Sequence, residues 1–119
     1  MLKVILNKTT FLMAICILLS SELKVCGQEL ISAKTTYEQG DDLIFNFKNG
    51  PGNSKDWIGI YKDGEVSGEV SATMWLYVDG TDLGETGVSE GVLKFPGEIP
   101  VGKFTAHLLE NDGYNILAT

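Results

Sequence analysis

The chain has 119 residues, 14 glycines, three prolines and no arginine, and its formal net charge is -7. This length allows at most one small domain. The acidity argues against nucleic acid and anionic membranes as partners, because both carry negative charge themselves. A simpler interpretation is that the net negative charge keeps the protein soluble.

The first element in chain order is a predicted secretory signal peptide over residues 1–27. Lysines precede the apolar run FLMAICILL (11–19), and Val25 and Gly27 stand at the third and first positions before the predicted cleavage. The run is well short of the ~20 residues that cross a bilayer. We therefore expect a secreted or periplasmic protein with no stable membrane anchor after cleavage.

Removal of this leader would change the composition of what is left. Both cysteines, Cys16 and Cys26, lie within it, and residues 28–119 hold six lysines and 15 acidic residues, for a formal charge of -9. A disulfide scaffold, a cysteine-ligated metal site and a cysteine nucleophile are thereby excluded from the domain.

Seven short segments after the leader are rich in β-branched and aromatic residues, which is typical of strands. In the second segment Leu43, Phe45 and Phe47 share one face, which we predict to be buried, and the three residues between them share the other. The segments are LISAKTTY (30–37), DLIFNFKN (42–49), DWIGIYKD (56–63), TMWLYVD (73–79), GVLKFP (91–96), GKFTAHLLE (102–110) and NILAT (115–119).

Turn signals such as Asp-Gly and Pro-Gly separate these segments, and no stretch has the length and period of a helix. The pattern predicts an all-β domain over 28–119, an antiparallel two-sheet immunoglobulin-like sandwich of about seven strands. The last two segments predict a hairpin about residues 111–114. Its second arm stops at Thr119, so we expect the final strand to be truncated and the chain to be the N-terminal fragment of a longer protein.

Residues able to perform catalysis are scarce. The only histidine is His107, in the middle of a predicted strand, and no serine or cysteine has an evident base. The acidic pairs and loops, including 79–85 and 110–112, do not match a helix-flanked calcium loop. We therefore predict no enzyme activity in this chain, no cofactor and no metal site.

The aromatic residues offer a candidate binding site at Trp57, Tyr61, Trp75 and Tyr77. The first two share a face of one predicted strand with Gly59, and the last two share a face of the next. Either these faces are buried, or the alternate aliphatic faces are buried and the aromatic rings are exposed. Because Gly59 leaves a gap that a ring from a neighbouring strand could fill, burial of the aromatic residues is favoured.

The pattern DWIGIYKDGE (56–65), with ATMWLYVDG (72–80) and GKFTAHLLENDGYNILA (102–118), resembles an Ig-like β-sandwich module that accompanies the catalytic domain of secreted bacterial phosphoesterases. Its DWIGIY strand is similar to that of the N-terminal domain of purple acid phosphatases and of SKICH domains. In families with this module the metal ligands lie in a separate catalytic domain. The resemblance thus implies a non-catalytic appendage, although SKICH domains are intracellular and this chain has a predicted leader.

Two functional hypotheses follow. In the first, the chain is a non-catalytic accessory domain of a larger hydrolase, such as a metallophosphoesterase whose catalytic domain lies downstream in the same full-length chain. In the alternative, it is a free-standing secreted recognition module that binds carbohydrate or protein through the four candidate aromatic residues.

Overall fold

The computed structural model describes residues 27–119, in which there are seven β-strands and no helix. The predicted signal peptide lies outside these residues, apart from Gly27. Within the same range no helix is long and apolar enough to cross a membrane. The strands are β1 (Glu29–Ser32), β2 (Leu43–Lys48), β3 (Trp57–Lys62), β4 (Met74–Tyr77), β5 (Gly91–Phe95), β6 (Phe104–Leu109) and β7 (Ile116–Ala118).

The strands form two antiparallel sheets. One has three strands in the order β1-β2-β5, and the other has four in the order β4-β3-β6-β7. Each of the seven predicted segments contains or overlaps one observed strand, so the predicted all-β, two-sheet sandwich is confirmed. Since β3 pairs with β4 on one side and β6 on the other, the WIGIYK segment is a central strand.

One apolar core lies between the two sheets. On β2 the predicted alternation is confirmed, because Leu43, Phe45 and Phe47 are buried there. Phe45 meets Phe95 of β5 edge to face, with ring centroids 5.8 Å apart, and each fully buried side chain of this size stabilises the fold by ~1.5–3 kcal/mol. The buried members of the core are Leu43, Phe45, Phe47, Ile58, Ile60, Val78, Leu93, Phe95 and Leu108.

The predicted hairpin between β6 and β7 is also present. Its turn contains two residues with positive φ, Asn111 at 48° and Asp112 at 60°, and Asn and Asp tolerate this left-handed conformation better than other side-chain-bearing residues. The hairpin ladder pairs Leu108 with Ala118 and Leu109 with Ile116, with an irregularity between the two pairs. The turn brings Tyr114 against the outer face of β3.

Candidate functional site

The two faces of β3 divide cleanly between aliphatic and aromatic residues. Ile58 and Ile60 are at most 1% exposed and belong to the core between the sheets. Because side chains alternate along a strand, Trp57 and Tyr61 lie on the outer face of the four-stranded sheet. The favoured alternative, a core formed by the aromatic face, is wrong, because the aliphatic face of β3 packs between the two sheets. Tyr61 is nevertheless 0% exposed on the outer face.

The nearest neighbours of Gly59 are two rings of its own strand. A ring from a neighbouring strand was expected over this glycine, but the nearest atoms to a Cβ placed there belong to Trp57 and Tyr61 of the same strand, at 2.8 and 3.0 Å. The missing side chain therefore lets two rings of one strand lean towards each other.

The four predicted residues come together in one place. Trp57 and Tyr61 of β3 and Trp75 and Tyr77 of β4 line a single open cleft of about 250 Å³. Tyr114, from the β6–β7 turn, supplies a fifth ring. We call this feature, lined by these five aromatic residues, the aromatic cleft. Its other lining residues are Val70, Ser71 and Ala72 of the β3–β4 loop and Asp112 of the β6–β7 turn.

Neighbouring rings in the aromatic cleft meet edge to face. The centroids of Trp57 and Trp75 are 6.3 Å apart with planes at 82°, and those of Trp57 and Tyr114 are 5.9 Å apart at 81°. Trp75 and Tyr77 are 5.2 Å apart at 82°. Such contacts are each worth about 0.5–1.5 kcal/mol beyond area burial. Trp75 nevertheless remains 42% exposed, so part of its ring is available to a ligand.

Hydrogen bonds hold two of these rings in place. The indole Nε1 of Trp57 donates to the carbonyl oxygen of Gly113 at 3.0 Å, and the Tyr77 hydroxyl donates to Asp112 Oδ1 at 2.6 Å. This bond to the Asp112 carboxylate raises the pKa of Tyr77. The ammonium of Lys55 lies 4.9 Å from the centre of the Tyr77 ring. The rings are thus positioned before any ligand arrives, which lowers the entropic cost of binding.

A buried carboxylate ties the β6–β7 turn to the start of β3. Asp56, placed by the sequence just ahead of the strand, is 1% exposed. Its Oδ2 accepts the backbone N–H of Asn53 at 3.0 Å, and its Oδ1 accepts the backbone N–H of Asn111 at 3.0 Å and the Asn53 side-chain amide at 3.2 Å. Asp112 N–H also donates to the Lys55 carbonyl at 2.8 Å. These bonds fix one wall of the aromatic cleft.

Tyr61 carries the one buried side-chain polar atom in residues 27–119 that lacks a hydrogen-bond partner, its hydroxyl oxygen. The residue is 0% exposed. Burial raises the pKa of Tyr61, and the nearby Tyr114 and Glu65 raise it further. Buried hydroxyls are nearly always paired in native proteins, so an orphaned one in the lining of a cleft requires an explanation.

His107 is the one histidine among the described residues. His107 lies on the outer face of β6 with its ring centroid 5.6 Å from that of Tyr61, its Nδ1 is 3.0 Å from Thr119 Oγ1, and burial lowers its pKa. Among residues 27–119, no three His, Cys, Asp or Glu side chains are grouped closely enough to hold a metal ion.

The acidic loop 79–85 has a structural explanation. The Asp79 carboxylate accepts the hydroxyl of Thr81 at 2.7 Å and the backbone N–H groups of Thr81, Glu85 and Thr86. The hydroxyl bond from Thr81, aided by the three backbone bonds, lowers the pKa of Asp79 to about 2. This carboxylate therefore organises its own turn.

The sequence-based prediction missed two members of the site, Tyr114 and Asp112. The sequence assigns Tyr114 only to the hairpin turn, and it assigns Asp112 to that turn and to an acidic group that does not match a calcium loop. The sequence feature that pointed to the site was Tyr114, which directly follows Asp112-Gly113. A hairpin between β6 and β7 could direct this tyrosine towards β3. That inference requires the pairing of β3 with β6, which no local pattern reveals.

The resemblance of the DWIGIY strand to phosphoesterase accessory modules, purple acid phosphatases and SKICH domains stays a prediction. The chain was compared with protein-family models, with curated proteins and with solved structures, and none of the three comparisons gives a match.

Proposed function

We propose that the chain is a non-catalytic, secreted recognition module that binds its ligand in the aromatic cleft. One observation supports the binding role above all others: five aromatic side chains from three separate segments meet at an open cleft on the outside of the sandwich. The non-catalytic part rests on the sequence, which has one histidine and no thiol in residues 28–119.

The composition of the cleft suits recognition. Aromatic side chains supply large contact areas with few rotatable bonds, so they lose little conformational entropy on binding. Here Tyr77 and Trp57 are already held by hydrogen bonds, and Trp75 exposes part of its ring. Rigid, partly exposed rings at the centre of a concave surface are the usual form of a binding hot spot.

The first experiment measures the accessibility of Trp75 to a quencher and then the affinity of the protein for candidate ligands. In a Trp57→Phe protein Trp75 is the only tryptophan of residues 28–119, and we expect acrylamide to quench its fluorescence readily because the ring is 42% exposed. A panel of neutral oligosaccharides and of peptides is then titrated against the wild-type protein. Any ligand of the aromatic cleft should bind at least about tenfold more weakly to Trp75→Ala.

Val101→Ala is the matched control, because Val101 is 80% exposed and does not line the cleft. It should bind as the wild type does. Inaccessibility of Trp75 to acrylamide, or equal binding of every ligand by Trp75→Ala and wild type, would contradict the recognition role.

A second proposal is that this module is the accessory domain of a larger hydrolase such as a metallophosphoesterase. It rests on the DWIGIY resemblance and on the outer face of the three-stranded sheet. There Ile31 and Val92 lie on either side of Asn46 and are 53% and 61% exposed. Burying them against a neighbouring domain would be favourable. Metallophosphoesterase motifs encoded after Thr119 would support this role, and an immediate stop codon would oppose it.

A further inference from the structure

Two acidic loops border the aromatic cleft. The β3–β4 loop, 63–73, supplies three lining residues, and the β6–β7 turn, 110–115, supplies two. Together the loops hold five carboxylates, and neither contains a lysine, arginine or histidine. Of these carboxylates Asp112 lines the cleft itself, and carboxylates close to a concave surface attract cations and repel anions. The five acidic residues are Asp63, Glu65, Glu69, Glu110 and Asp112.

Within residues 27–119 no carboxylate of these two loops forms an ion pair closer than 4.0 Å. Among residues 27–119 the carboxylate–lysine pairs closer than 4.0 Å are Lys34 with Asp41 and Lys94 with Asp42, both at 3.7 Å. Neither pair involves the two loops. Asp112 accepts only the neutral hydroxyl of Tyr77 among side-chain donors. A negative carboxylate therefore stands in the lining of the cleft without an ion pair within 4.0 Å, and the nearby Lys55 ammonium lies over the Tyr77 ring, 4.9 Å from its centre.

The orientation of the rings favours a cation over a sugar that would span several rings. A pyranose stacks on a flat aromatic surface, whereas neighbouring planes in the aromatic cleft lie at 81–82° to one another. Their electron-rich faces therefore point in different directions. A compact cation can be attracted by several such faces at once, and tryptophan attracts it most strongly of the aromatic residues.

The orphaned hydroxyl of Tyr61 is an independent observation at the same site. It is buried, it belongs to a residue that lines the cleft, and it has no hydrogen-bond partner among the described residues. A phenolic oxygen can accept an N–H donor as well as donate its own proton. Ammonium and guanidinium groups bring several N–H donors on an apolar stem. Because Tyr61 is 0% exposed, such a donor reaches its oxygen only when the side chains that cover it move apart.

We propose that the aromatic cleft recognises a lysine or arginine side chain of a basic protein segment, with Trp75 and Trp57 contacting the cationic group and Asp112 supplying the opposite charge. This inference rests on the proposed recognition role and specifies its partner. The acidic loops 63–73 and 110–115 attract the flanking basic residues of the segment.

The test uses the purified protein and peptides of defined charge. A peptide of alternating lysine and glycine, its arginine counterpart, its glutamate counterpart and a neutral β-linked glucose oligosaccharide are titrated while tryptophan fluorescence and indole NMR signals are recorded. We expect the two basic peptides to shift the Trp57 and Trp75 signals. Their binding should weaken as salt is raised from ~0.05 M to ~0.5 M, because salt screens exposed charges.

Four variants locate the interaction. Trp75→Ala should bind the basic peptides about tenfold more weakly, and Asp112→Asn about threefold more weakly, because it retains an acceptor for Tyr77 but loses the charge. Glu98→Gln removes the same charge at an exposed position that does not line the cleft, and it should bind like the wild type. Tyr61→Phe should weaken binding about threefold without loss of stability, since it deletes an unpaired buried hydroxyl.

The outcomes separate this inference from the recognition role. Binding of the neutral oligosaccharide with dependence on Trp75, and no binding of the basic peptides, overturns the inference and leaves the recognition role standing. Equal loss of binding in Glu98→Gln and Asp112→Asn also overturns it, because attraction to net charge alone would then explain the affinity. If no probe shifts either indole signal and Trp75 is inaccessible to acrylamide, both proposals fail.

Discussion

Asp56→Ala is expected to be about 3 kcal/mol less stable than the wild type, because it would remove a buried carboxylate and leave two partly buried backbone N–H groups without their acceptor. The Asp56 carboxylate is 1% exposed and accepts three hydrogen bonds from Asn53 and Asn111. Hydrogen bonds to a charged acceptor are each worth ~1.5–3 kcal/mol, although their energies do not simply add. Urea unfolding followed by tryptophan fluorescence measures the loss.

Asp56→Asn provides a graded comparison. The asparagine side chain has nearly the same shape as that of Asp56. Its amide nitrogen, however, would face an N–H donor at the position where the carboxylate now presents its second accepting oxygen. We therefore expect a loss of about 1–2 kcal/mol, between those of wild type and Asp56→Ala. The exposed Asp82 is the control position, and Asp82→Ala should stay within ~0.5 kcal/mol of the wild type. Stability of Asp56→Ala within that same margin would show that these bonds do not hold the loops.

Gly59→Ala is expected to lower the free energy of unfolding by about 2 kcal/mol. A Cβ at this position would stand 2.8 Å from Trp57 Cζ3 and 3.0 Å from Tyr61 Cε2. Neither ring can move freely, since the Trp57 indole is hydrogen-bonded to the Gly113 carbonyl oxygen and Tyr61 is fully buried. Overpacking of this kind costs ~1–3 kcal/mol. The cost is partly offset because alanine loses less conformational entropy on folding than glycine does. The indole signals of both tryptophans should also shift.

A double-mutant cycle tests whether the ring contact is the cause. In a Trp57→Phe background the six-membered ring of the indole is absent, so Gly59→Ala should destabilise the protein by clearly less than it does in the wild type. An unchanged cost in that background would assign the effect to the backbone of β3 instead. The aromatic cleft would then not depend on the missing side chain.

Local patterns were sufficient for much of the fold. On β2, alternation of apolar and polar residues predicted the buried face of Leu43, Phe45 and Phe47, because one face of that strand is plainly more polar than the other. The position of Asp56 just before β3 was also predicted. Its role was not, because its partner Asn111 lies 55 residues away along the chain, and hydrogen bonds over that separation have no local signature.

For the candidate site the sequence supplied the four residues Trp57, Tyr61, Trp75 and Tyr77 and the strands that bear them, because strand periodicity shows which side chains share a face. It could not determine which face of β3 is buried, since both faces are apolar and a period of two assigns no preference between them. The tertiary structure decided this by packing Ile58 and Ile60 against the phenylalanine-rich sheet and by returning the β6–β7 turn over the aromatic face. Pairing of β3 with β6, a contact between distant segments, is what brings the β6–β7 turn to the side of the cleft.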